Sequence, residues 1–389
     1  MSFRLEVRDW LASSCPKSLL SLDGSPESGL RTPLAGDRKK WLERSAEKGF
    51  TVPMWPKRYG GAELSKDQYL VLLEEMKRLG APSPLGGMGV IMLGPTLLEY
   101  GTDDQKLRHL PPIARGEIRW CQGYSEPGSG SDLASLQTRA VEQGDHYLVN
   151  GQKIWTSGAQ FADWIFCLVR TDPNAPKHDG ISFLLFSMHQ PGVTVRPIRL
   201  ISGASPFCET FFDNAVAAKE DLVGGLNKGW TVAKRLLQHE RSGISALASG
   251  RNRETGPSLE ELAKETMGSR NGRLHDPVVR ASILRHSINA EAFRLTQRRT
   301  VEESQGSTPG PQTSIFKYYG ANLRKERSEL QVSMLGSQAV GSNVDQELGS
   351  HAASAITRDW LAGKAGSIAG GSNEIQLNII AKRVLGLPD

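Results

Sequence analysis

An α+β fold is predicted for this chain, with a helical domain, a β domain and a second helical domain in that order. Two observations carry the prediction. Apolar residues recur at helical spacing toward both ends, and the middle breaks into short β-branched runs punctuated by turn residues. The 389 residues, 38% hydrophobic and 23% charged, have an ordinary globular composition and the length for two or three cores.

The first stretch, to about residue 115, reads as helices. Ser65-Lys-Asp-Gln68 has the form of a capping box, Leu72, Leu73, Met76 and Leu79 follow at helical spacing, and Gly80 closes the helix. Asp103 likewise precedes a helix running through Leu107 and Leu110. In the middle, the runs at 147–149, 164–169, 181–186, 193–198 and 209–212 are short and apolar. Asn150-Gly151, Asp172-Pro173, Asp179-Gly180 and Pro191-Gly192 separate them, which predicts an antiparallel β domain. From Trp230 to Val384 the pattern is helical again, with turn-rich interruptions at 268–277 and 304–312 read as inter-helix loops. The expected domains are 1–115, 116–229 and 230–389.

Several function classes drop out on composition. No apolar run approaches the ~20 residues of a membrane helix. The N-terminus carries charges where a secretory signal needs an apolar stretch, so a soluble cytoplasmic protein is expected. Four scattered cysteines and eight scattered histidines give neither a disulfide framework nor a metal site. The net charge of +5 suits an anionic ligand and equally a solvated surface. No basic run with interleaved aromatics points to nucleic acid.

The densest signal is Tyr124-Ser-Glu-Pro-Gly-Ser-Gly-Ser-Asp132. Its glycines let the backbone approach a ligand closely, and its hydroxyls and N–H groups suit a phosphate or a flavin ring edge. A plain surface turn uses the same residue types. Asn150-Gly-Gln-Lys-Ile-Trp-Thr-Ser-Gly158 reads as a turn and then a strand ending in a large aromatic beside two hydroxyls. Trp155 suits the face of a flavin, with Thr156 or Ser157 donating to its N5; the alternative is a tryptophan packed in a core.

These two segments at this separation resemble the acyl-CoA dehydrogenases. So do Trp-Pro-Lys-Arg-Tyr-Gly-Gly at 55–61, the strand-rich middle, and the ending from Ile368 to Pro388. The resemblance spans nearly the whole chain and implies an N-terminal helical domain, a middle β domain and a C-terminal four-helix bundle. It implies FAD as cofactor, an acyl-CoA substrate, an electron-transferring flavoprotein as partner, and a homodimer or homotetramer. Carried over by position, Tyr124 and Ser125 line the flavin, and Ser131 lies near the pyrophosphate or the substrate's pantetheine. Trp155 packs on the isoalloxazine with Ser157 at N5, and Ser372 and Glu374 contact the cofactor again. Where relatives have an Arg-x-x-Phe-Gly element for the neighbouring subunit's FAD, this chain has Gly268-Ser-Arg-Asn-Gly272, leaving Arg270 as the candidate.

Dehydrogenation needs a carboxylate to take the α-proton. Many relatives keep this glutamate in the C-terminal loop, where this sequence has Gly370, left with only a backbone N–H for the thioester carbonyl. Other members carry it on a C-terminal-domain helix just before an arginine, which corresponds here to Glu240 and Arg241. Helix spacing agrees. Val232, Leu236, Leu237, Ile244 and Leu247 stand at −8, −4, −3, +4 and +7 from residue 240, an apolar stripe around one carboxylate. A structural ion pair is the alternative reading. Arg241 is expected to support the substrate or flavin region, and Glu374 is the rival base. An acyl-CoA oxidase would use the same residues, and a catalytically silent family subunit would retain the fold without the chemistry.

Overall fold

The computed structural model describes residues 2–20, 35–241, 258–303, 310–340 and 351–388, with side chains described at all of these except 240–241, 301–303 and 351–353. The described residues form two compact units, 2–198 with 205–240, and 258–388 with 199–204 and 241.

The first unit opens with five helices: α1 (Phe3–Ser14), α2 (Gly36–Glu47), α3 (Lys66–Leu79), α4 (Gly94–Tyr100) and α5 (Asp103–Ala114). α3 begins where the sequence signals it. Ser65 accepts from the Gln68 N–H, Gln68 reaches back to the Ser65 N–H, and Gly80 closes the helix at φ 77°. The cap of α5 is Thr102 rather than Asp103, again in a capping box with Gln105. Asp103 and Asp104 lie in the first turn, where negative charge complements the helix dipole.

Eight strands follow: β1 (Trp120–Gly123), β2 (Arg139–Gln143), β3 (His146–Ser157), β4 (Trp164–Arg170), β5 (Ile181–Ser187), β6 (Val193–Ile198), β7 (Phe207–Ala218) and β8 (Leu222–Val223). They form one sheet in the order β6-β7-β3-β2-β4-β5-β8, with β1 lying along β4. Most pairs are antiparallel, as the turn signals imply. The β1–β4 pair is parallel, and β2 meets β4 in parallel at Arg139 and Arg170. β1 enters the sheet from a helix, not from a hairpin, so turn chemistry does not dictate its direction. β1 and β2 were also invisible to hydrophobic patterning: β1 is four residues long, and β2 buries only Ala140.

β4 is buried on both faces, which is why it reads as a continuous apolar run. Phe166 and Leu168 pack with Phe183 and Leu185 against Leu93, Leu97 and Leu110 of the helical layer. Ile165, Cys167 and Val169 face the opposite way, toward Val149, Phe186 and Ala215. Helix α6 (Gly229–Arg241) closes the first core with Val232, Ala233 and Leu236.

One face of α5 latches the helices onto the strands. Gln105 donates to the carbonyls of Glu220 and Leu222 at 2.7 and 2.9 Å, and buried His109 sits 3.1 Å from Asp221. His109 also packs edge-on against Trp120 and Trp164, at the i+4 position expected for a shared helix face.

The second unit holds α7 (Leu259–Met267), α8 (Pro277–Glu303), α9 (Thr313–Leu335), α10 (His351–Gly363) and α11 (Asn373–Ile379), with Leu259, Leu262, Ile283, Met334 and Leu335 in its core. The expected loop at 268–277 contains a miniature hairpin, β9 (Ser269–Arg270) and β10 (Arg273–Leu274). Asn271 and Gly272 turn it at φ 53° and 74°, the backbone that Asn-Gly favours. Residues 304–309 of the other expected loop lie outside the described residues. Among the described residues, no helix is long and apolar enough to cross a membrane.

Gln105→Leu keeps the volume of a fully buried side chain but strands two carbonyls and removes a capping box. A loss of about 3 kcal/mol is expected in urea unfolding. An unchanged midpoint would show that the α5 latch is not a structural joint.

Candidate functional site

The two motif segments form one piece, held by a buried ion pair. Lys153 is fully buried, and its ammonium donates to Glu126 at 2.8 Å and to the Tyr124 carbonyl at 3.1 Å. The Glu126 carboxylate also accepts the backbone N–H groups of Gln137 and Thr138, at 2.6 and 2.8 Å. Burial alone would raise the Glu126 pKa. The Lys153 charge and these hydrogen bonds outweigh burial and hold it below the ordinary carboxylate value. Glu126 and Ser129 exchange backbone hydrogen bonds across Pro127-Gly128, so the loop is a closed turn.

The Ser125 carbonyl takes the Ile154 N–H at 2.9 Å. The β3–β7 register accordingly shifts between Lys153, opposite Thr210, and Thr156, opposite Cys208, so β3 carries one extra residue. In a regular strand Trp155 would share the buried face of Lys153. Instead it adopts φ 60° and stands 53% exposed, its ring edge-on to Phe207. A tryptophan in this region is strained by ~1–3 kcal/mol, and such strain concentrates at functional sites. The alternative of a core tryptophan is excluded.

The structure sorts the remaining expected residues. Ser125 and Ser157 are partly exposed and Ser131 is exposed. The Tyr124 ring is buried edge-on against Phe166 and Phe183, and its carbonyl accepts from Lys153. Thr156 is fully buried, and its Oγ1 has no partner among the described residues. An open groove of about 530 Å³ runs beside the loop, lined by Glu126, Ser129, Ser135, Gln137 and Gln152 among others.

Position 240 lies seven and four residues after the buried Ala233 and Leu236 on α6; the side chains of Glu240 and Arg241, and all of Ile244 and Leu247, lie outside the described residues. The helix is held from its other side. Arg235 grips Glu99 of α4 with two hydrogen bonds at 2.6 and 2.7 Å, and His239 stands 3.0 Å from the same carboxylate.

In the second unit, Arg270 is exposed on the small hairpin. Gly370 and Gly371 both have left-handed backbones, φ 67° and 89°. Ser372 caps α11, accepting the Ile375 N–H at 3.4 Å. Glu374 is exposed in the first turn of α11, where hydrogen bonds from its own backbone and from Ser372 hold its pKa below the ordinary value. A general base at that position needs the opposite shift.

Three structural residues escaped sequence reasoning. Glu126 and Lys153 lay inside the motifs but read as turn and strand filler; a lysine at an inward strand position was the available signal. Gln376, fully buried and donating to the Gly370 and Gly371 carbonyls at 3.4 Å each, gave none.

Lys153→Met leaves a buried carboxylate without its cation, and about 3–5 kcal/mol of stability should be lost at pH 7. Because the Glu126 pKa is depressed on folding, the pair contributes fully above the unfolded carboxylate value of ~4.3 and fades as pH falls through the folded one. Urea midpoints of wild type and variant should therefore converge below about pH 4. Equal midpoints at pH 7 would rule out the ion pair as the anchor.

Models of the acyl-CoA dehydrogenase N-terminal, middle and C-terminal domains match residues 2–117, 121–215 and 227–385. The chain is 39% identical over 388 residues to acyl-CoA dehydrogenase IpdE1 of Mycobacterium tuberculosis, covering 99% of this chain and 97% of that one. Among solved structures, the Tcur3481-Tcur3483 steroid ACAD is similar with a TM-score of 0.79 at 31% identity, over 99% of this chain and 96% of that one. The ChsE4-ChsE5 complex from Mycobacterium tuberculosis is similar at 0.75 and 30%, over 100% and 97%. From its helical and strand modules to its motif segments, this chain belongs to the acyl-CoA dehydrogenase family.

Proposed function

We propose that the protein dehydrogenates an acyl-CoA thioester between its α and β carbons, giving the trans-2-enoyl-CoA, and passes the electrons to an electron-transferring flavoprotein. Family members are FAD-binding flavoproteins. The single observation that carries the reading is Trp155, a strained and half-exposed aromatic held out of the sheet by a buried ion pair. An exposed flat ring beside the accessible Ser125 and Ser157 fits a planar, hydrogen-bonding cofactor.

Tyr124, Ser125, Trp155, Thr156 and Ser157 would hold FAD from the first unit, with Ser131 toward the pyrophosphate or pantetheine. Ser372 and Glu374 are assigned as further cofactor contacts, and Arg270 as a contact to a neighbouring subunit's FAD. When bound, FAD supplies the acceptor for the β-hydrogen. Glu240 takes the α-proton, the backbone N–H of Gly370 steadies the thioester carbonyl, and Arg241 supports the substrate region. The three-domain division at 115 and 229 and a cytoplasmic location belong to the same reading.

The relative described as a steroid ACAD supports a bulky, polycyclic acyl group, and Gly370 has no side chain to obstruct one. A homodimer or homotetramer is the proposed assembly. The ChsE4-ChsE5 complex favours a second reading, in which a different chain of the family completes the oligomer; the mass of the purified protein alone separates the two.

Glu240→Gln keeps shape and hydrogen bonding but cannot accept a proton. Anaerobic single-turnover flavin reduction should slow by at least ~10²–10⁴-fold, with acyl-CoA binding retained. Wild-type reduction in Glu240→Gln, together with lost reduction in Glu374→Gln, would move the base to the C-terminal loop.

A further inference from the structure

The glycine turn that leads into α11 is built around one side chain. Gly370 and Gly371 adopt φ 67° and 89°. Gln376, fully buried on α11, donates from Nε2 to both of their carbonyls, at 3.4 Å each. The flanks of the turn are tied to α9. Lys317 donates to the Gly366 carbonyl at 2.7 Å, and Asn373 donates to Asn322 Oδ1 at 3.1 Å. The Gln376 N–H in turn bonds the Ser372 carbonyl at 3.0 Å. Ile368, Ala369 and Gly370 are exposed, so the turn has one held side and one open side.

A buried amide is a costly way to fill this space. Gln376 Oε1 has no partner among the described residues, and a methionine of the same length would avoid that desolvation. What the amide does, and an apolar side chain cannot, is hold two successive carbonyls. In a planar trans peptide each carbonyl opposes the next residue's N–H. Drawing the Gly370 and Gly371 carbonyls toward Gln376 therefore aims the Gly371 and Ser372 N–H groups away from it. It also fixes the torsions of two glycines, the residues most free to drift.

We infer that Gln376 is a positioning residue for the reaction: it sets the peptide planes of the 370–372 turn against the thioester carbonyl. The inference rests on the reading in which the Gly370 N–H steadies that carbonyl, and it names what holds that donor in place. Such donors stabilise developing negative charge best when they need no reorganisation during the reaction.

The test uses the FAD-loaded full chain, with rates taken per bound flavin and folding followed by urea midpoints. Gln376→Met keeps the length and removes both hydrogen bonds. Anaerobic flavin reduction at saturating thioester should slow by at least ~10-fold, toward the ~10²–10³-fold of a lost oxyanion donor, with thioester affinity near wild type. The infrared band of an isotope-labelled thioester carbonyl should move back toward its free position. Gln376→Glu adds a pH signature. Burial against two carbonyl oxygens raises the introduced carboxyl above ~4.3, while Lys317 and Lys325 of α9, which act on the neighbouring Glu374, oppose this from farther off. Protonated, it donates to one carbonyl; ionised, it repels both. Its rate relative to wild type should therefore fall at least ~10-fold between about pH 6 and pH 9, a step absent from Gln376→Met. Should Gln376→Met fail to fold, that pH series decides alone. Wild-type rates and an unmoved carbonyl band in both variants would overturn the role of Gln376 and leave the dehydrogenase reading standing. A wild-type protein whose flavin no thioester reduces would overturn both.

Discussion

Lys153 and Glu126 meet in the interior of the first unit, and the geometry of the motif segments depends on that meeting. Removing two charges from water costs several kcal/mol per ion, which only close pairing and further hydrogen bonds offset. Here the carboxylate accepts from one ammonium and two backbone N–H groups, and the ammonium reaches the Tyr124 carbonyl as well. The consequence is local and specific. With the 124–132 loop pinned against β3, the Ser125 carbonyl captures the Ile154 N–H, the ladder to β7 skips, and the extra residue turns Trp155 outward at φ 60°. A ring that strand periodicity would have buried is left half-exposed at the end of the strand.

A second constraint aims α6. Val232, Ala233 and Leu236 are buried among strand residues, while Arg235 and His239 reach across to Glu99. Burial holds the His239 imidazole below its usual pKa even beside that carboxylate, so it is neutral at pH 7 and Arg235 carries the positive side of the pair. Packing on one side and an ion pair on the other fix both the rotation and the tilt of the helix whose last turn carries residue 240. The base proposed at position 240 calls for a rigid element, and α6 has the contacts to be one.

The legible parts of the fold were those written in local chemistry. The Ser65–Gln68 box and the Gly80 stop are each decided within a few residues, and each stands in the structure. What escaped was set by distant partners. β1 runs parallel because of where it docks on β4, and β2 is too polar to announce itself. At the candidate site the two segments were readable, but not which of their side chains the fold buries. Tyr124 and Thr156 are buried, and nothing local to the motifs marks them so. The bulge that separates Trp155 and Ser157 from Thr156 follows from a hydrogen bond to a loop some thirty residues away. Gln376 leaves no trace in sequence, since a buried glutamine is distinguished only by the two glycine carbonyls it holds.

The claim that this frame serves flavin-dependent dehydrogenation is tested most directly by anaerobic titration of the purified protein with a panel of CoA thioesters, following the visible flavin absorbance. The panel should run from short straight chains to polycyclic acyl groups. The expected result is a yellow protein whose flavin bleaches on mixing with at least one thioester, with the matching enoyl-CoA formed in equal amount. A protein that stays colourless after incubation with FAD, or whose bound flavin keeps its colour with every thioester offered, would contradict it.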